Sequence, residues 1–367
     1  MTTPDPASDV LVLGQQGLVG ASSRSLANAN HFEAEDVFVD CTQADRAFFT
    51  AEDHDLALRV RRQVGAAVRS KRPSASVPPI LGSRLHLERD YRIAIALVRT
   101  AWDVTLLETV TDLRQRADVV VVWIFEMWPS SVTHKLALAP FHLADLVLVG
   151  PSAEAATELD DLVAPAVHFM PAGIDVATFG EFDLDADRPI DLMNIGRREA
   201  SFHELFLDRA RAKHNRYLFD TTTAGLLRDP REHRWLLAQH YQTTKIAMTS
   251  AAKFDDGGSG DSSIRAVPNR LFEALAAGTV MVGAPPPSEL NQAAQVGELV
   301  VRELPSNISA AVDFVERLAS SDLDEERRHH AELARRHHDW SERWLRVFDL
   351  AGQEAPEGLQ LRRDRFS

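Results

Sequence analysis

The chain has 367 residues, 45% of them hydrophobic and 26% charged, which suits a soluble protein with two hydrophobic cores rather than one. A formal net charge of -14 excludes general binding to nucleic acid or to an anionic membrane, since both need a basic surface. A single cysteine, Cys41, excludes an internal disulfide and reads as a buried structural thiol in a reducing compartment. The start, "MTTPDPASDV", has neither a basic nor an apolar leader segment, so the expected location is the cytoplasm, and the apolar runs are too short to span a bilayer.

"VLVLG" (10–14) reads as a buried strand followed by turn glycines, and "EDVFVDC" (35–41) as a second strand. Residues 51–70 carry a helical pattern, and "SKRPSASVPPI" (70–80) is a loop by its Ser and Pro density. A long helical region is expected over 84–116, then a strand buried on both faces, "DVVVVWIF" (118–125). Residues 129–144 look helical and 145–150 form a strand. Residues 152–163 form a helix with Ser152 as N-cap, and 166–170 form another strand. A Pro-, Gly- and Asp-rich linker covers 171–190. The alternation then restarts: strands at 191–196, 215–221, 245–250, 279–285 and near 299–302, with helices at 201–212, 230–242, from about 270, and on to about 351. Continuous apolar strands alternating with helices predict an α/β protein of two Rossmann-like, doubly wound parallel sheets, with ligands at the carboxyl ends of the strands.

The stretch "VPNRLFEALAAGTVMVGAPP" (267–286) places Glu273 in the first turn of an otherwise apolar helix. Helix N-termini present unpaired N–H groups that suit phosphate, and Arg270 can neutralise one. A carboxylate one turn in can accept hydrogen bonds from ligand hydroxyls, although a favourable charge near a helix N-terminus is the plain structural alternative.

"LFEALAAGTVMVGAP" resembles the donor-binding segment of retaining GT-B glycosyltransferases. "ADLVLVGPSAEAATEL" (144–159), "FMPAGIDVATF" (169–179), "DLMNIGRRE" (191–199) and "DWSERWLRVFDL" (339–350) are similar to further segments of that family, in the same order along the chain. The resemblance implies two facing domains with a cleft between them. The acceptor-side domain would span 1–178 and the donor domain 179–338, and a helix in 339–367 would cross back to the first domain. It implies that Arg197 binds the donor pyrophosphate and Glu273 the ribose hydroxyls, with Gly196, Arg198 and Arg270 completing the donor site. Two positions depart from the pattern: Arg265 stands where the family has its first glutamate, and Phe202 where it has a lysine. "Arg270-Leu-Phe-Glu273" matches the version found in spore-maturation-type members. The implied reaction transfers a sugar from a nucleotide-diphosphate sugar, a co-substrate rather than a cofactor, to a hydroxyl of a carbohydrate or small molecule, with retention. Arginines and helix N–H groups can carry the leaving diphosphate without a metal.

"LGQQGLVG" (13–20), with Gly14, Gly17 and Gly20, suggests a rival NAD-dependent sugar epimerase or reductase; otherwise Gly14 and Gly17 line the acceptor side or allow a tight turn. The rival needs a Tyr-x-x-x-Lys pair on one helical face, and "YQTTK" (241–245) supplies the letters, but Lys245 falls where a strand begins. A non-catalytic GT-B relative is the third reading. In "WIFEMWPSSVTH" (123–134) Glu126 is the expected catalytic group, orienting an acceptor hydroxyl, with Trp123, Trp128 and His134 nearby. "DLDAD" (183–187) reads as a solvated acidic linker, "DDGGSGD" (255–261) as an active-site loop, and the histidines of 327–340 as solvated helix surface.

Overall fold

The computed structural model describes residues 8–15, 29–49, 85–129, 138–196, 198–221, 229–249, 266–284 and 301–367. The expected helix at 51–70, the loop at 70–80, residues 130–137 and the loop around 255–261 lie outside the described residues. The chain divides into two compact units: residues 1–172 with 343–362, and 173–342 with 363–367.

Unit 1 holds a six-stranded sheet of β1 (Val10–Gly14), β2 (Asp45–Phe48), β3 (Tyr91–Val98), β4 (Ala117–Met127), β5 (Leu146–Pro151) and β6 (Ala166–Phe169), in the order β2-β1-β3-β4-β5-β6. Every pairing is parallel, with Val12 opposite Ile95 and Ile95 opposite Val121. Val, Ile and Leu fill the central strands because both faces are covered. Ser152 caps α3 (Ala153–Asp160) as expected, its side chain accepting from the Ala155 N–H.

Three expectations fail here. Residues 35–41 lie in α1 (Ala29–Thr42) rather than a strand, because His31, Glu35 and Phe38 recur at helical spacing and turn inward. Residues 91–98 form β3 rather than part of a long helix. A short apolar run such as "YRIAIALV" fits either state on periodicity, and only its place between β1 and β4 decides. The rest of that region supplies a 3-10 turn at Ala101–Thr109 and the single-turn α2 (Leu113–Arg116). Cys41 is half-buried rather than buried.

Unit 2 holds β7 (Ile190–Asn194), β8 (Tyr217–Phe219), β9 (Thr244–Thr249), β10 (Val280–Gly283) and β11 (Val301–Glu303), all parallel, in the order β11-β10-β9-β7-β8. Between and after them run α5 (Ala200–Lys213), α6 (Pro230–Gln242), α7 (Asn269–Ala276), α8 (Ile308–Ala319) and α9 (Asp324–His337). The stretch expected as linker contains the short α4 (Val176–Gly180), capped by Asp175, whose side chain accepts from the Ala177 N–H. The histidine-rich segment departs from a solvated surface: His330 and His338 are buried, and the His338 ring packs 4.9 Å from Phe272. α9 needs an inward face, and His330 supplies part of it together with Ala331 and Ala334. Asp183, Asp185 and Asp187 are exposed, and Asp185 pairs with Arg328 at 2.7 Å.

The last helices are α10 (Trp340–Leu350) and α11 (Glu357–Phe366), the second of which the sequence does not announce. Within unit 1, Trp344 donates from its indole to the Ala34 carbonyl at 3.1 Å and packs against Phe38 and Trp123. Within unit 2, buried Asp339 accepts from the N–H groups of Val176 at 3.2 Å and Ser341 at 2.9 Å, tying the start of α4 to the start of α10.

Candidate functional site

In unit 2 the carboxyl end of β7 leads into Gly196, whose φ of +83° suits glycine. A side chain at Gly196 would collide with the Arg270 guanidinium, which lies directly over it from the first turn of α7. The Gly196 N–H donates to Asp220 Oδ2 at 3.0 Å, just beyond β8. Asp220 Oδ1 stands 3.8 Å from Arg198, and that guanidinium lies over the Phe219 ring at 5.5 Å. Three of the expected donor residues, Gly196, Arg198 and Arg270, thus gather at the carboxyl edge of the sheet, where α/β proteins bind ligands. Arg197 lies outside the described residues. Pro268 at the α7 N-cap carries no capping group, so the first-turn N–H groups face the same edge without a side-chain cap from that position. Two guanidinium groups and a helix N-terminus make this edge chemically suited to an anion such as a diphosphate.

Beside it lies a polar relay. Asn194 Nδ2 donates to the Tyr217 hydroxyl at 3.3 Å, and that hydroxyl stands 2.8 Å from His203 Nδ1. If Tyr217 accepts from Asn194 it can donate to an unprotonated Nδ1. A neutral ring agrees with this, since burial and then Arg198 push the His203 pKa down.

Glu273 is the fifth residue of α7, not part of its first turn. It is 5% exposed and forms an ion pair with Arg234 of α6, which is also 5% exposed. The Arg234 guanidinium lies over the Phe179 ring at 4.6 Å. The Tyr241 hydroxyl also reaches the Glu273 carboxylate, and the tyrosine pKa is raised, first by burial and then by that carboxylate. Arg234, Tyr241 and Asp220 are the partners that sequence reasoning missed. No spacing links Arg234 to Glu273 across 39 positions.

Phe202 sits in the core against Phe206, with ring centroids 5.8 Å apart, so its position offers no donor contact. Arg265 lies outside the described residues. Tyr241 ends α6 whereas Lys245 sits in β9 and pairs with Asp191 at 2.7 Å, so the two do not share a helical face. No cluster of metal-ligating side chains occurs among the described residues.

In unit 1, Gly14 ends β1, and a side chain there would strike the buried Glu35 carboxylate. Glu126 lies near the end of β4, half-buried, within the register shift between Ile124 and Met127. Its N–H donates to the Arg99 carbonyl at 2.7 Å, while the Arg99 N–H donates to Gln15 Oε1 at 3.1 Å. That chain of bonds joins the carboxyl ends of β1, β3 and β4. Trp123 is core, stacked on Phe125 at 4.9 Å; Gly17, Gly20 and His134 lie outside the described residues.

No family model and no curated protein matches the sequence. Solved structures do match. The chain is similar to HepE of Anabaena, solved in complex with UDP, at 11% identity and a TM-score of 0.50, over 94% of this chain and 99% of that one. It is also similar to an α,α-trehalose-phosphate synthase (UDP-forming) from Burkholderia vietnamiensis, at 12% identity and a TM-score of 0.51, over 98% of this chain and 96% of that one. Both likenesses span nearly the whole chain, and the fold is GT-B.

Proposed function

We propose that the chain is a glycosyltransferase that moves a sugar from a nucleotide-diphosphate sugar to a hydroxyl of a carbohydrate or other small acceptor. The observation that carries this reading is the seating of Arg270 on Gly196 at the carboxyl edge of the unit 2 sheet, in a GT-B fold. In the reaction the bond from the sugar's anomeric carbon to the diphosphate breaks, a bond to the acceptor oxygen forms, and the acceptor proton passes to the departing diphosphate and from there to water. Arg270, Arg198 and, by resemblance, Arg197 would carry the charge that gathers on the leaving diphosphate. Glu273 would bind the ribose from the position in which Arg234 and Tyr241 hold it. Glu126 would orient the acceptor hydroxyl.

Retention of configuration and kinship with the spore-maturation-type subgroup rest on the resemblance alone; action in the cytoplasm rests on the single cysteine, and action without a resident metal on the arginines and helix N–H groups that can carry the leaving diphosphate. The HepE structure holds UDP and the synthase is UDP-forming, which makes uridine diphosphate the first donor group to test.

The test is release of nucleoside diphosphate from UDP-glucose, GDP-mannose and ADP-glucose with a panel of sugar acceptors, and proton NMR of the anomeric signal in the product. Diphosphate release that depends on an acceptor, with the donor's configuration kept, is the expected result. No turnover with any donor, despite tight nucleotide binding, would favour the non-catalytic relative.

A further inference from the structure

Unit 1 buries a pair of polar side chains that its own packing leaves unmatched. Asn30 and His31 occupy the first turn of α1 and are 5% and 2% exposed. Among the described residues, neither amide atom of Asn30 and neither ring nitrogen of His31 has a hydrogen-bond partner. Buried polar atoms are nearly always paired, and four unpaired atoms on adjacent residues call for a ligand or ordered water to complete them.

Their place in the fold is the ligand edge of the sheet. The His31 ring stacks on Phe125 with centroids 4.5 Å apart and planes 13° apart, next in sequence to Glu126. The backbone of Leu97, near the end of β3, lies beside the ring without a well-formed hydrogen bond. His31 and Glu35 are one turn apart on α1, and Glu35 abuts Gly14 at the end of β1. This face of α1 therefore covers the carboxyl ends of β1, β3 and β4, joined beneath it through Gln15, Arg99 and Glu126.

The chemistry of the pair selects the ligand class. Burial holds His31 neutral, with its pKa lowered to about 3, and the nearby Arg99 charge acts in the same direction. A neutral imidazole and a carboxamide each carry both a donor and an acceptor, and a hydroxyl group matches that by donating and accepting at one atom. An anion brings acceptors only. It would set its charge against Asn30 Oδ1 and the bare ring nitrogen, with the Glu33 carboxylate buried on the same helix; the Glu35 carboxylate is paired with Arg46 at 3.3 Å. The helix N-terminus and Arg99 pull the other way, but they do not remove those opposed acceptors.

We propose that Asn30 and His31 form a subsite of unit 1 that binds hydroxyl groups of an uncharged carbohydrate. Its role as the acceptor site rests on the transferase reading above; its binding does not. The full chain is labelled with nitrogen-15 histidine and titrated with glucose, maltose, glucose 6-phosphate and inorganic phosphate. The ring signals of His31 are assigned by their loss in His31→Phe. The expected result is a saturable shift of those signals with glucose or maltose, weakened by about tenfold or more in Asn30→Leu. A response to glucose 6-phosphate or phosphate alone overturns the uncharged class, and no response to any of the four overturns the subsite. Where His31→Phe fails to fold, the ring signals are assigned in the wild type by their through-space contact with the stacked Phe125 ring, so the wild-type titration still decides the matter. UDP titrated separately keeps the two readings apart: UDP binding without a sugar shift sinks only the subsite, and a sugar shift without nucleotide binding sinks only the transferase.

Discussion

Gly196 and Glu273 show what a motif does and does not carry. The resemblance puts Gly196 and Arg270 in one site although 74 positions separate them, and the guanidinium indeed fills the space a side chain at Gly196 would need. Gly196→Ala must displace Arg270 and adopt a positive φ, which costs roughly 1–2 kcal/mol of stability. On the transferase reading it also weakens nucleoside-diphosphate binding by about tenfold, read by calorimetry beside a thermal melt. Full affinity in the alanine variant would remove Arg270 from the site. The carboxylate of Glu273 was legible as unusual, but not its partner. Arg234 lies on another helix, and nothing local in the sequence records a pair made by tertiary packing. Removing one partner of such a buried pair costs roughly 3–5 kcal/mol, so Glu273→Gln and Arg234→Met should each destabilise strongly. The double variant should recover much of that loss. If Glu273 also grips a ribose, stability returns without nucleotide affinity; if the pair is purely structural, both return together.

Elements were legible where propensity and burial agree. β4 read correctly because its continuous β-branched run, Val119 to Val122, has no comfortable helical alternative, and β5 because its alternating Leu and Val are too few for a buried helix. α1 and β3 were misread because their apolar residues fit both periods, and the neighbours that decide them come from distant sequence. Arg188 shows the same limit in unit 2. It is buried just before β7, and its guanidinium donates to the carbonyls of Ala277 at 2.7 Å, Thr244 at 2.8 Å and Tyr241 at 3.3 Å, and to the Thr279 hydroxyl at 3.2 Å. It thereby joins the amino ends of β7, β9 and β10, far along the strands from the ligand edge. Burial lowers its pKa to about 9, with Arg327 adding to the effect, so the sheet holds this cation through backbone oxygens. Arg188→Met leaves those oxygens unpaired and should cost roughly 2–4 kcal/mol, seen as a lower urea midpoint for unit 2. An unchanged midpoint would show that the amino edge closes without it.

Across the whole molecule, acid should weaken the fold. Burial lowers the pKa of His31 to about 3 and also lowers those of His203, His233 and His330. Below pH 6.5 the unfolded chain takes up protons at these residues that the folded chain refuses, so stability is complete above 6.5 and lost as pH falls toward 3. His31 alone contributes up to roughly 5 kcal/mol over that span. Melting temperature should fall steadily from pH 7 to 5 and fall less steeply in His31→Phe; a flat profile would mean that these rings are not held neutral.

The GT-B fold was legible at this scale through the order of its segments. The pairing of distant side chains inside it was not. The most direct test of the central claim is calorimetric titration of UDP, GDP, ADP and NAD into the wild type and Arg270→Gln. The account predicts that one nucleoside diphosphate binds saturably, that Arg270→Gln weakens it by about tenfold or more, and that NAD does not compete. Binding of NAD that ignores Arg270, or no binding of any nucleoside diphosphate, would contradict it.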